Sequence, residues 1–419
     1  MSLSINEITR RLEELHQRES PIIKEIRSYS GLIEGLKELD DLIEMKEAKA
    51  AIGLQLEFII MRLSDPSRTG PIFDDQMLHT VISGPPGTGK TRLGKVLAKI
   101  WHSLGLLKVP PKGAQSSRLA AREKQVQEAY TKCDQTLGAT NLGIVSVIRA
   151  MGETINSLEE IRKQYKAQEM NQSLMDLCNE QTALLMLLQN NKVDRGTTAS
   201  SDSIPFRVVS RVDFVAEYQG QTAVKTQDLL ERNLGGVLFI DEAYSLVHGD
   251  RDSFGMEALT TLNQFMSEHS EEIIVIFGGY TDLMNESIFR YQPGLKRRCS
   301  WFFDVESYSA DGLANIFQSQ LKKFGWSLDS SVDPSRFFQD HLSDFSNYGG
   351  DTLKLAFYCK LYQMDSEFVR ISRATRKRKC SEIPSTVISN DTLELAFSKY
   401  RNHRSEKKED PKAYLTMFN

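Results

Sequence analysis

From Ile5 to about Leu63 the apolar residues recur at three- and four-residue spacing, as at Leu36, Leu39, Leu42 and Ile43. That period predicts several amphipathic helices, with turn signals at Ser20-Pro21 and near Gly31. The stretch SDPSRTGPIFDDQ is rich in turn formers, and it is followed by MLHTVIS, an apolar run of strand length that ends at Gly84. Arg92 to Leu107 returns to the helical period. A second apolar strand is predicted in GGVLFIDEAYSL, and further strands in RVVSRVDFV, EEIIVIFGGY and WFFDVESY. Short apolar strands alternating with helices predict an α/β domain built on a parallel sheet. From Ser309 onward the pattern is helical, with a short final helix at Asn390 to Tyr400, which predicts a smaller all-helical domain.

One segment breaks this alternation. Asp241 lies about 150 residues beyond Lys90, whereas two βα units fill only about 60. The surplus runs from 110 to 204, opened by VPPKG and closed by DRGTTASSDSIP, both loop-like in composition. Inside it Ile148, Met151, Ile155, Leu158, Ile161 and Tyr165 keep a three-four spacing, as do Leu174, Leu177, Leu184 and Leu188. The spacing predicts an inserted, coiled-coil-like group of two or three helices. A stalk packed on its own core and a partner-docking arm both satisfy it.

Composition narrows the function classes. A chain of 419 residues exceeds one ordinary core. A net charge of −4 gives no global attraction to nucleic acid or anionic membrane, so either role needs a local patch. The N-terminal residues lack a secretory pattern, and no run of 18 apolar residues exists to span a bilayer. A soluble, cytoplasmic protein is expected. Its cysteines, Cys133, Cys178, Cys299, Cys359 and Cys380, are odd in number and form no CxxC pair, which argues against disulfides and structural zinc. The basic run from Arg370, with Arg373, Arg376, Lys377, Arg378 and Lys379, reads as a solvated edge; nuclear import or a nucleic-acid contact is its alternative.

The candidate chemistry begins at GPPGTGKT, residues 84 to 91. Gly84, Gly89, Lys90 and Thr91 satisfy GxxxxGK[ST], with Pro85, Pro86, Gly87 and Thr88 between them. Glycines in such a loop let successive backbone N–H groups turn toward one anion, the lysine reaches the β and γ phosphates, and the threonine ligates Mg²⁺. The expected cofactors are therefore ATP and Mg²⁺. Asp241, at the end of the apolar run Val237 to Ile240, is placed to hold the metal shell, and Glu242 to orient an attacking water. Lys296, Arg297 and Arg298 form a basic cluster that is either a solvated edge or a trans-acting arginine finger, the latter requiring a ring.

The segments MLHTVISGPPGTGKT, RVDFVAEYQGQTAVKT, GGVLFIDEAYSL, DSFGMEALTTLNQFMSEH, IIVIFGGYTDLM and QPGLKRR follow the order found in AAA+ ATPases of the CbbX/CfxQ and SpoVK-like group, which the chain resembles from about Leu39 to Tyr400 outside the insertion. The resemblance implies a P-loop AAA+ nucleotide domain with a helical lid. It also implies an ATP-driven ring, usually hexameric, that remodels a client protein, as red-type Rubisco activases do. On this resemblance Tyr218, beside Gln219 and Gly220, matches the pore-loop aromatic that grips substrate. Arg298 matches the arginine finger better than Arg297, and sensor 1 falls at Tyr280 or Thr281. The sequence departs from the group in YGGDTLKLAF, where Thr352 stands at the sensor-2 arginine and Lys354 is the nearest cation. The expected organisation is N-terminal helices over 1–38, the nucleotide domain over 39–304 with its insertion at 110–204, the lid over 305–401 and a polar tail over 402–419. An ATP-dependent nucleic-acid motor and a nucleotide-regulated assembly scaffold are the competing functions.

Overall fold

A computed structural model describes residues 3–63, 77–108, 205–216, 221–375 and 384–406. The expected insertion, Tyr218 with its loop, and the basic run beyond Thr375 lie outside the described residues. The chain divides into two compact units. The first holds the residues up to Leu39, Ala50–Ser83 and Thr91–Phe303; the second holds Asp40–Lys49, Gly84–Lys90 and the chain from Asp304.

The first unit is built on a five-stranded sheet of order β2-β3-β4-β1-β5, formed by β1 (His79–Ser83), β2 (Phe206–Val209), β3 (Val237–Ile240), β4 (Ile274–Gly279) and β5 (Cys299–Asp304). Every residue of β1, β3 and β4 is buried, the pattern expected of central strands covered on both faces. The register is parallel, pairing Phe239 with Ile276 and Val81 with Phe277. At β1 the strand order reverses, so the chain leaves its carboxyl end at a topological switch point, where α/β sheets place their ligands.

Four helices precede the sheet: α1 (Ile5–Gln17), α2 (Pro21–Glu25), α3 (Tyr29–Asp40) and α4 (Lys46–Leu63). Leu32, Leu36 and Leu39 are buried on one face of α3, as their spacing requires. The turn signal near Gly31 marks no break. Ser28 accepts from the Gly31 N–H at 3.3 Å, so the helix starts at Tyr29 and runs through the glycine. After β1, α5 (Lys90–Leu104) carries the helical period, beginning two residues before the expected Arg92 and ending three before Leu107.

RVVSRVDFV is a strand only as far as Val209. Ser210 and Asp213 form a reciprocal capping box that starts the helical turn α6 (Arg211–Phe214), with Asp213 accepting from the Ser210 N–H at 2.8 Å and Phe214 fully buried. Local capping thus overrides the strand-like alternation. Beyond it lie α7 (Thr222–Arg232) and α8 (Ser253–Glu268), followed by the short helices α9 (Thr281–Glu286), α10 (Ile288–Tyr291) and α11 (Pro293–Arg298).

The second unit contains α12 (Ala310–Lys322), α13 (Pro334–Asp340), α14 (Gly349–Thr375) and α15 (Asn390–Glu406). Its core is aromatic: Phe338 packs edge-on to Phe317 and Phe345, with ring centroids 5.6 and 4.9 Å apart. Two features differ from the expected all-helical pattern. The last helix extends to Glu406, and β6 (Ser327–Leu328) pairs in parallel with β7 (Val387–Ile388), clipping the start of the final helical segment to the end of α12.

Candidate nucleotide-binding site

The loop from Gly84 to Gly89 joins β1 to α5. Gly84, Gly87 and Gly89 have φ of 147°, 73° and 88°, so all three occupy the region that side chains avoid. At Gly87 space is also exhausted, since a Cβ there would collide with the Asn347 carbonyl oxygen. Thr88 is buried, and its hydroxyl donates to the Pro85 carbonyl at 2.8 Å, closing the turn. Lys90 folds back along the loop and donates to the carbonyls of Gly84 and Pro85 at 2.9 and 2.7 Å. The helix that starts at Lys90 brings its first-turn N–H groups and positive dipole end to the same place, and Thr91 is its second residue. Backbone donors, a lysine and a helix N-terminus form a donor set suited to a polyphosphate.

The same loop is tied to its own unit by contacts that the sequence pattern does not announce. The Tyr308 hydroxyl, buried, donates to the Thr88 carbonyl at 2.9 Å. The N–H of Gly349, at the start of α14, donates to the Gly87 carbonyl at 3.2 Å. Thr352, which the resemblance sets at the sensor-2 position, is fully buried and turns its hydroxyl to the Gly349 carbonyl at 3.1 Å. Lys354 is exposed and pairs with Asp351 at 3.7 Å.

In the sheet unit, Asp241 extends the β2–β3 ladder through its N–H to the Val209 carbonyl at 2.8 Å. The chain then turns sharply: Glu242 has φ 48° and ψ 48°, a left-handed conformation that costs a non-glycine residue about 1–2 kcal/mol. Its N–H donates to the Asp241 carboxylate at 3.1 Å, and its carbonyl accepts from the Ser245 N–H at 2.7 Å. Backbone strain retained at a strand end beside two carboxylates is a mark of functional sites. The Glu242 side chain is exposed and Asp241 partly so. Sequence reasoning missed Tyr244, whose hydroxyl pKa is raised by burial and by the neighbouring Glu242 carboxylate. Its ring packs 5.9 Å from that of Tyr280, one of the two sensor candidates. Tyr280 is partly buried at the N-cap of α9, and Thr281 is exposed as the first residue of that helix.

The turn after β3 is braced by a salt bridge that sequence reasoning also missed. Arg211 binds Asp252 with contacts of 2.6 and 3.1 Å and reaches the Leu246 carbonyl. Burial pushes the Asp252 carboxyl up, but Arg211 and the N–H groups of Gly255 and His248 outweigh this and hold it at about 2. Of the basic cluster, Lys296 and Arg297 are exposed, and Lys296 bonds Asn285 at 3.0 Å. Arg298 is partly buried and donates to the Ser267 hydroxyl at 2.6 Å and the Gly294 carbonyl at 2.9 Å. The start of the basic run lies on the last turns of α14, where Arg370 pairs with Glu367 at 2.7 Å.

A P-loop following the first strand of a parallel α/β sheet, with an acidic end on β3, is the pattern of a P-loop nucleotide-binding domain. Residues 195–299 match the family described as ATPase family associated with various cellular activities. The chain is also similar to proteins of the CbbX/CfxQ and SpoVK-like group. It is 39% identical over 123 residues to stage V sporulation protein K of Bacillus subtilis, covering 29% of this chain and 38% of that protein. It is 37% identical over 130 residues to the chloroplastic ribulose bisphosphate carboxylase/oxygenase activase of Cyanidioschyzon merolae, covering 30% and 42%. A cfxQ-like protein of Acanthamoeba polyphaga mimivirus matches over 333 residues at 23% identity, covering 79% of this chain and 57% of its own. The chain thus spans roughly two-fifths to three-fifths of the length of these relatives.

Proposed function

We propose that this chain is an AAA+ ATPase that couples Mg-ATP hydrolysis to the remodelling of a client protein within a homo-oligomeric, hexameric ring. Two observations, each within its own unit, carry the reading: the complete phosphate loop with its three positive-φ glycines, and the left-handed Glu242 that follows β3.

Each residue then has a role that its chemistry suits. The N–H groups from Gly87 to Lys90 hold the phosphates, and Lys90 exchanges the loop carbonyls it now binds for phosphate oxygens. Thr91 and Asp241 hold Mg²⁺, which supplies charge neutralisation for the phosphates when bound. Glu242, exposed on a fixed turn, orients water and accepts its proton. Arg298 acts on the nucleotide of the neighbouring subunit, by exchanging its bond to Ser267 for phosphate. Tyr218 grips an extended polypeptide in the ring channel. Of the two sensor candidates, Tyr280 is favoured by its ring contact with Tyr244, which neighbours Glu242.

Affinity capture tests the client assignment. The Glu242→Gln form, held in Mg-ATP, retains a protein that elutes when ATP is withdrawn, and adding Tyr218→Ala abolishes that retention. Equal retention with and without Tyr218 would count against the threading role.

A further inference from the structure

The segment Asp40–Lys49 is grouped with the phosphate loop and the lid in one compact unit. It contains two consecutive non-glycine residues in the left-handed region, Glu44 at φ 57° and Met45 at φ 56°. Nothing in the residue types favours that conformation, so surrounding contacts must hold it. The contacts are specific. The Glu44 carboxylate accepts from the Ser309 N–H at 3.1 Å and from the Ser309 hydroxyl. Ser309 is the N-cap of α12, accepting in turn from the Gly312 N–H at 3.1 Å. Gly312 makes room for this, since a Cβ there would lie 2.5 Å from the Glu44 carboxyl atoms. One residue on, Met45 is buried, and its methyl lies 3.2 Å from where a Cβ on Gly89 of the phosphate loop would stand. Lys49 secures the turn by donating to the carbonyls of Asp40 and Leu42 at 2.7 and 2.5 Å.

One short strained turn therefore touches the phosphate loop with one residue and the first lid helix with the next. We propose that Glu44 is a positioning residue that couples nucleotide occupancy of the phosphate loop to the lid: Met45 senses the loop at Gly89, and Glu44 transmits its position to α12 through Ser309. This proposal rests on the reading of the loop as an ATP site. It supplies a route for coupling in a chain whose sensor-2 position holds the buried Thr352 and whose nearest cation, Lys354, is exposed and paired with Asp351. Because the two left-handed residues adjoin, a displacement at Met45 rotates the peptide that carries Glu44, and the carboxylate moves with it.

Glu44→Gly separates coupling from folding, because glycine relieves the left-handed strain while deleting the carboxylate. Hydrogen exchange of the amides at 309–313 is followed with and without a non-hydrolysable ATP analogue and Mg²⁺, and analogue affinity is measured separately. In the wild type the analogue slows exchange there by about tenfold, the size of an ordinary coupling between sites. In Glu44→Gly the slowing vanishes while the melting temperature does not fall and analogue affinity changes by less than about threefold; in Ser309→Ala the slowing vanishes too, with a lower melting temperature because the N-cap of α12 is lost. The double variant is no worse than either single one. Ser309→Thr, which keeps the hydroxyl, retains the slowing. A wild type that binds the analogue without protecting α12, or a Glu44→Gly form protected as strongly as the wild type, overturns the proposal. A wild type that does not bind the analogue sinks the ATP-site reading itself, and the coupling with it.

Discussion

His79 opens β1 as a polar letter in an apolar run, and its surroundings explain how it stays there. It is fully buried, its Nδ1 accepts from the Val275 N–H at 3.1 Å, and its Nε2 faces the Met266 carbonyl at 3.4 Å. Burial, with a smaller contribution from the Arg298 charge, lowers its pKa from 6.5 to about 4. A base whose folded pKa is depressed stabilises the fold fully above the unfolded value and loses that stabilisation as pH falls toward the folded one. Between pH 7 and pH 4 this histidine should therefore remove about 3 kcal/mol of stability. Urea unfolding at both pH values checks this, with His79→Gln losing correspondingly less than wild type across the same interval. The phosphate loop and the Asp241-Glu242 pair were legible in the sequence because their chemistry depends on residue type at fixed spacing. Tyr244, Asp252 and Glu44 were not, because each acts through a partner tens or hundreds of residues away, and spacing carries no trace of that.

Among the elements, the central strands were legible for a simple reason. VLFI, HTVIS and IVIFGG are buried on both faces, so they need no alternation, only length and apolar character. The segment after β2 was misread because RVVSRVDFV alternates like a strand, while the Ser210–Asp213 capping box commits its second half to a helical turn. That turn matters, since it presents Arg211 to Asp252. Asp252 is at once the N-cap of α8, accepting from the Gly255 N–H at 3.0 Å, and the anchor of Arg211. Removing it in Asp252→Ala loses a cap and leaves a partly buried guanidinium unpaired, which should cost about 2–3 kcal/mol by chemical denaturation. Asp252→Asn, which keeps the cap, should cost about half of that. The two-residue pairing of β6 with β7 has too little sequence to carry any pattern, and so the lid reads as purely helical.

For the whole molecule, the proposed ring places the demand on Arg298. Arg298 is bonded to Ser267 and Gly294 within one chain, whereas Arg297 beside it is exposed. If Arg298 acts across subunits, Arg298→Ala should lower turnover about 1,000-fold under assembling conditions, and Arg297→Ala should not. The reverse outcome would move the finger to Arg297. Among the described residues no helix is long and apolar enough to cross a membrane. The central claim, that the chain hydrolyses ATP through Glu242, is tested most directly by steady-state phosphate release from wild type and Glu242→Gln in Mg-ATP, with ATP binding measured alongside. The wild type should turn over ATP, and the variant should release phosphate at least about 100-fold more slowly with ATP still bound. Equal turnover in both, or none in the wild type, would contradict it.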